Sequence, residues 1–118
     1  MTSSTLIPEL DAERIRRWCA GRVPPHARHQ VFVEAQIEGH TVDVVERRAL
    51  WDREDAPESE WAASPVARFQ YVTGRKVWQL YSRDRNLKWH LYQPLPESSF
   101  VQHLIDEVDH GGNPIFWG

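Results

Sequence analysis

From Val31 onward the hydrophobic period of the chain drops to two, and no other feature constrains the fold as tightly. Val31, Val33, Ala35 and Ile37 are apolar, with Glu34 and Gln36 between them. Only an extended strand places such residues on one face. Glu38-Gly39-His40 interrupts the run, and Val42 and Val44 resume it. Two alternating runs around a short glycine-bearing break read as a β-hairpin. Whether the turn centres on Glu38-Gly39 or Gly39-His40, odd residues of the first strand share a face with even residues of the second.

The same signals recur downstream. Pro65 opens a third strand, Val66 to Val72, in which Ala67, Phe69 and Tyr71 share a face. Thr73-Gly74-Arg75 turns it into a fourth, Lys76 to Arg83, with Trp78 and Leu80 inward. Asp84-Arg85-Asn86 turns again, and Leu87, Trp89 and Leu91 are expected to face inward on a fifth strand. Pro94-Leu95-Pro96 ends the sheet. Two segments carry a helical period instead. Between Pro8 and Ala20, Ile15, Trp18 and Cys19 form one stripe, with Gly21 as a stop and Pro24-Pro25 beyond it. Between about Ser98 and His110, Phe100, Val101, Leu104, Ile105 and Val108 form a wider stripe, capped by Ser98 or Ser99 and stopped by Gly111-Gly112. The acidic stretch Asp52 to Ser64, interrupted by Pro57, reads as a solvent-exposed loop with Trp61 as an anchor. The expected fold is α+β: a five-stranded antiparallel meander, with an N-terminal and a C-terminal helix packed on its apolar face. The long acidic loop leaves the neighbours of strands two and three open.

At 118 residues the chain is one domain, large enough to hold a core without staples. Its one cysteine excludes an intrachain disulfide and a zinc ribbon. The N-terminus lacks the basic and apolar regions of a signal peptide, and no apolar run is long enough to span a membrane. A soluble, cytoplasmic protein is expected.

Five stretches, taken in order, carry a family likeness. They are Ile15-Arg16-Arg17-Trp18-Cys19 with Val23-Pro24-Pro25-His26-Ala27-Arg28, then Glu46-Arg47-Arg48, Pro65-Val66-Ala67-Arg68-Phe69, the run Trp78 to Arg85, and the closing Ile115-Phe116-Trp117-Gly118. Together they resemble the bacterial family called domain of unknown function 3024, over about Glu13 to Gly118. The closing Phe-Trp-Gly and the Leu-Tyr-x-Arg-Asp run are the most specific parts. The resemblance implies one bacterial, soluble domain, and it brings no activity, cofactor or catalytic residue with it.

Charge is unevenly distributed. The net charge is −3, from 14 basic and 17 acidic residues, yet residues 66–93 carry six basic residues and one acidic. Strand parity places Arg68, Gln70, Gln79, Tyr81, Arg83, Lys88, His90 and Tyr92 opposite the apolar face, with Tyr81 near Lys88 and Gln79 near His90. Basic groups interleaved with aromatic rings on an open sheet suit a polyanion with stackable bases. The plain alternative is a solvated face whose rings cover aliphatic stems, or one neutralised by the acidic loop or tail. The candidate binding residues are therefore Arg68, Tyr81, Arg83, Lys88, His90 and Tyr92, with nucleic acid or another anion as the partner.

Other candidates are weaker. Glu34 and Asp43 share the outer face of the first hairpin and need a cation between them, supplied by Arg47, Arg28 or a divalent metal. His26, His29, His40 and Cys19 have zinc-ligand chemistry without the spacing of a zinc site. Cys19 on an apolar stripe reads as packing. Asp84 reads as turn chemistry. No phosphate-binding glycine loop or hydrolase motif occurs, so no cofactor or metal is assigned. The tail Ile115-Phe116-Trp117 either closes this chain's own core or anchors a partner or homodimer through Phe116 and Trp117, with Trp51 or Trp61 assisting. Binding is favoured over catalysis because no catalytic constellation assembles. An unrecognised enzyme, with Glu34, Asp43, His90 and Asp84 as its acids and bases, stays as the alternative.

Overall fold

Ala12, Ile15 and Cys19 recur at three- and four-residue spacing, and all three are buried in one helix face. In the computed structural model, which describes residues 6–50, 61–110 and 113–117, this helix, α1, spans Glu9–Gly21. Glu9 and Asp11 place negative charge in its first turn, where the helix dipole favours it. Gly21 does not act as a left-handed stop. It is the last helical residue, and the chain leaves through Arg22 at φ −69°. One 3-10 turn, Pro25–Ala27, then leads into the sheet.

The first hairpin joins β1, Val31–Glu38, to β2, Thr41–Ala49. Their register runs without a shift from Val31↔Arg48 to Glu38↔Thr41. The turn is therefore Gly39-His40, with Gly39 at φ +59°. A left-handed residue at the first of two loop positions marks a type II′ turn, which glycine enters without steric cost. Val33, Val42 and Val44 are buried together on the inner face, as the alternation requires.

The third strand, β3, spans Trp61–Val72, so it begins earlier than Pro65. Of the expected acidic loop, residues 51–60 lie outside the described residues, as does Trp51; residues 61–64 are strand. β3 pairs with β2 from Thr41↔Gln70 to Ala49↔Trp61, which decides the neighbours left open across that loop. Pro65 is tolerated inside the strand for a local reason. It lies beside a register shift between Val44 and Val45, and β4 pairs with β3 only from Arg68 onward, so no ladder bond needs its missing N–H. The shift is a bulge that also changes parity: Pro65 lies opposite Val45, and Arg68 lies opposite Asp43, on the same outer face.

The remaining strands are β4, Val77–Arg83, β5, Trp89–Leu91, and β6, Glu97–Ser98. The sheet is antiparallel in the order β1-β2-β3-β4-β5, with β6 also pairing β4. The prolines thus do not end the sheet. Leu80 N–H donates to Pro96 O at 3.0 Å, and Tyr92 N–H donates to Leu80 O at 2.8 Å, so the backbone on either side of the prolines returns to β4.

The expected register of β5 is corrected. The pairs are Tyr81↔Leu91, Ser82↔His90 and Arg83↔Trp89, so Trp89 and Leu91 share the outer face with Tyr81 and Arg83. The physical reason is loop length. Residues 84–88 form a five-residue connection, in which Asp84 Oδ1 accepts from the N–H groups of Asn86 and Lys88. The longer loop moves β5 out of the expected parity, and every side chain on it changes face.

Two helices close the inner face from the C-terminal side. α2, Val101–Asp109, buries Val101, Leu104, Ile105 and Val108. It starts later than expected because Ser98 belongs to β6. Neither serine caps it in the usual sense; Ser98 Oγ accepts from Phe100 N–H at 3.1 Å. Gly111 and Gly112 lie outside the described residues. α3, Pro114–Trp117, buries Phe116. The core draws Ile7, Ile15, Val42, Phe69, Trp78, Leu80, Leu104 and Phe116 into one cluster. Large apolar side chains buried there contribute about 1.5–3 kcal/mol each. No helix among the described residues is long and apolar enough to cross a membrane.

Candidate functional site

The helices cover one face of the sheet, and the opposite face carries most of its charge. Arg68 alternates with the buried Ala67 and Phe69 and so leaves β3 on that face, where it forms a two-pronged pair with Asp43: Nε to Oδ1 at 2.7 Å and Nη2 to Oδ2 at 3.0 Å. This bond, with Asp43 as partner, raises the guanidinium above its ordinary range. Arg47 Nε donates to Glu34 Oε2 at 2.6 Å. Glu34 and Asp43 therefore do not share one cation: Glu34 sits opposite Val45, Asp43 sits opposite Gln36, and each has its own arginine. At the β6 side Arg75 pairs with Glu97 at 2.8 Å, which lowers the Glu97 carboxyl below its usual range.

The β4–β5 end differs. Among the described residues, Arg83, Arg85 and Lys88 have no carboxylate within ion-pair reach. The one acid in this turn, Asp84, is engaged elsewhere. Its Oδ1 holds the Lys88 and Asn86 amides, and its Oδ2 lies 2.6 Å from His90 Nε2. The backbone bond from Lys88 and the His90 contact hold its carboxyl below the ordinary range. Trp89 lies half-buried on the same face. The Arg68 guanidinium sits over its ring at 4.4 Å from the centroid, and that of Arg83 at 5.9 Å. Tyr81 is opposite Arg68 and donates its hydroxyl to Gln79 Oε1 at 3.1 Å. An indole with guanidinium groups over its ring, next to three cations that no carboxylate pairs among the described residues, can stack a flat ring while holding negative charge beside it.

Of the six residues singled out by parity, Arg68, Tyr81 and Arg83 come together on the open face. Lys88 is exposed in the loop beside them. His90 and Tyr92 are on the other parity. His90 is exposed and turned to Asp84. Tyr92 is buried, its ring 5.0 Å from that of Phe116 and its hydroxyl donating to Glu107 Oε2 at 2.8 Å. Sequence reasoning missed Trp89, which the five-residue loop brings to the outer face. Residue type alone carried no signal for it, because the loop length is set by Asp84 Oδ1 accepting from the Asn86 and Lys88 amides.

The C-terminal tail packs on its own core. Phe116 is buried, and Trp117 Nε1 donates to Val108 O at 2.8 Å. Trp117 lies edge-on to Trp18, with Arg22 over its ring at 4.1 Å. Arg22 Nη1 and Trp18 Nε1 both donate to Asp109 Oδ1, at 2.7 Å and 3.1 Å. Cys19 is buried and its thiol is pushed up to about 12, first by desolvation and then by the charge of Glu34. His26 and His40 are exposed in separate turns, and no cluster of three or more metal-ligating side chains occurs among the described residues.

The stretches that carry the family likeness meet in this structure. Trp18 contacts Trp117, and the Leu80-to-Arg83 strand holds the charged face. No curated protein and no solved structure matches the chain. A family model described as a domain of unknown function, DUF3024, matches residues 3–118. Because that match spans nearly the whole sequence, the chain belongs to the DUF3024 family.

Proposed function

We propose that this protein is a small binding domain of the bacterial cytoplasm, using the β4–β5 end of its open sheet face to hold single-stranded nucleic acid. The observation that carries the reading is Trp89 on the open face, with the Arg68 guanidinium 4.4 Å and the Arg83 guanidinium 5.9 Å from its ring centroid. A base stacks on the part of the Trp89 ring face that Arg68 leaves uncovered or on the Tyr81 ring, and phosphates lie against Arg83, Arg85 and Lys88. Stacking of a base on an aromatic side chain contributes about 1–3 kcal/mol and tolerates any sequence. Arg68, closed by Asp43, orients the indole and does not reach for the ligand. His90 shapes the loop through Asp84, and Tyr92 has a structural role.

The test is a titration of labelled single-stranded RNA and DNA at low and near-physiological salt. Affinity is expected to fall with salt with a slope of about two to three charges, matching the three cations that no carboxylate pairs among the described residues. Removing Arg83, Arg85 and Lys88 together should abolish binding, and Trp89→Ala should weaken it about tenfold or more. No binding at low salt overturns the reading. So does binding that survives the triple substitution.

A further inference from the structure

The edge of the sheet at β1 is built differently from the charged face. β1 is eight residues long and pairs only with β2 among the described residues. Long free edges are normally blunted by proline, lysine or a bulge. β1, Val-Phe-Val-Glu-Ala-Gln-Ile-Glu, has no proline, glycine or lysine, and its pairing with β2 has no shift. Ala49 N–H donates to Gln30 O at 2.9 Å, so the even positions of β1 direct their backbone groups to β2. The odd positions Val31, Val33, Ala35 and Ile37 therefore direct their N–H and C=O groups outward. No hydrogen bond joins those groups to anything else among the described residues.

A cavity of about 320 Å³ lies beside the Val31 end of this edge. Its lining is Cys19, Ala20 and Val23 from the end of α1 and beyond, Phe32 and Val33 from β1, and the Arg28 side chain. It is mostly apolar and large enough for a leucine or phenylalanine side chain. Arg28 is held at it by the C-terminal end of α1: Nη2 donates to Ala20 O at 2.6 Å, and Nε donates to Val23 O at 3.4 Å. Its Nη1 is left over. At the far end of the strand stands Glu38, an exposed carboxylate that acts on Arg68 only through longer-range charge and has no basic group within ion-pair distance among the described residues.

We propose that the β1 edge and this cavity receive the C-terminal end of an extended partner peptide as an added antiparallel strand. Direction follows from charge. β1 runs from Arg28 toward Glu38, so an antiparallel peptide ends at Arg28. Its terminal carboxylate meets the guanidinium, its last side chain, large and apolar, fills the cavity, and a basic residue upstream meets Glu38. The outward groups of Val33, Ala35 and Ile37 supply the ladder. Phe116 and Trp117 of a second copy do not supply that apolar side chain, because both are packed on their own core.

The test uses a fluorescein-labelled heptapeptide, Lys-Thr-Val-Thr-Val-Thr-Leu, with a free carboxylate, and the same peptide amidated. Anisotropy with the full chain should show saturable binding to the first, weakened at least tenfold by amidation. Two variants address the two halves of the site. Ala35→Pro removes one outward N–H without breaking a bond to β2, and Ala20→Trp fills the cavity from an exposed helix position. Each is expected to weaken binding tenfold or more, with circular dichroism unchanged; if Ala35→Pro unfolds the sheet, Ala20→Trp and the amidated peptide decide. Absence of saturable binding overturns the proposal. So does binding indifferent to amidation and to Ala20→Trp. A dimer in sedimentation that Ala35→Pro dissociates, with no peptide binding, assigns the edge to self-pairing and also overturns it.

Discussion

Among the described residues, two hold left-handed backbone without being glycine: Lys76 at φ +54° and Leu87 at φ +64°. Leu87 is also 65% exposed, so its side chain contributes little packing to offset the strain. Leu87→Asn should raise unfolding stability by about 0.5–1 kcal/mol, read from urea denaturation, because asparagine tolerates this region. Titration adds a second expectation at this scale. Asp84 and Glu97 both have carboxyl groups held below their ordinary range in the fold. A depressed folded value means their contributions are present above the unfolded value and vanish as pH falls through the folded one. The urea midpoint should therefore drop on acidification below the usual carboxylate range. In the double variant Asp84→Ala, Glu97→Gln that drop should be shallower, even though the variant starts lower at neutral pH. Tyr92 has the opposite sign. Its hydroxyl is raised, first by burial, and its contribution is lost as pH rises through that raised value.

At the scale of elements, helix-to-sheet docking depends on single polar bonds inside apolar surroundings. Trp78 is fully buried on β4, and its Nε1 donates to Asp11 Oδ2 on α1 at 2.8 Å. Asp11→Ala should cost about 1–3 kcal/mol, the penalty for a buried donor left without a partner. A double-mutant cycle with Trp78→Phe should show that most of this cost is shared between the two residues. The α1 stripe, the hairpin parity of β1 and β2, and the inward Trp78 and Leu80 were all readable from periodicity. The span of β3 was not, because proline normally closes a strand. A bulge and a one-sided pairing make Pro65 acceptable, and both are properties of the neighbours. β5 failed for a similar reason. Its parity is set by the length of a loop that Asp84 closes through side-chain bonds, and residue type alone does not report that length.

At the scale of the molecule, the chain is closed by its two ends. Trp18 of α1 and Arg22 just beyond it meet Asp109 of α2 and Trp117 of α3. Phe116 seals the core beside Tyr92, and Asn113 Nδ2 ties Tyr92 Oη to the turn before α3 at 3.3 Å. Phe116→Ala should cost about 3–5 kcal/mol, measured by chemical denaturation, because a ring leaves a core that cannot collapse fully. Arg22→Ala should cost less, since its ion pair with Asp109 is partly exposed and water screens it. The apolar side chains of Phe116 and Trp117 are thus used in packing on this chain's own core.

Local period and turn chemistry determined the class of fold, the faces of β1, β2 and β4, and the two main helices. These are short-range properties: a side chain's face follows from its neighbours within a few positions. Only the tertiary structure decided which cations on the open face are free. Arg47, Arg68 and Arg75 look like Arg83 in the sequence, but acids on adjacent strands or on β6 close the first three. Ion pairing depends on register across strands that are distant in the chain, and a bulge of one residue, or a loop longer by a few, rewrites it.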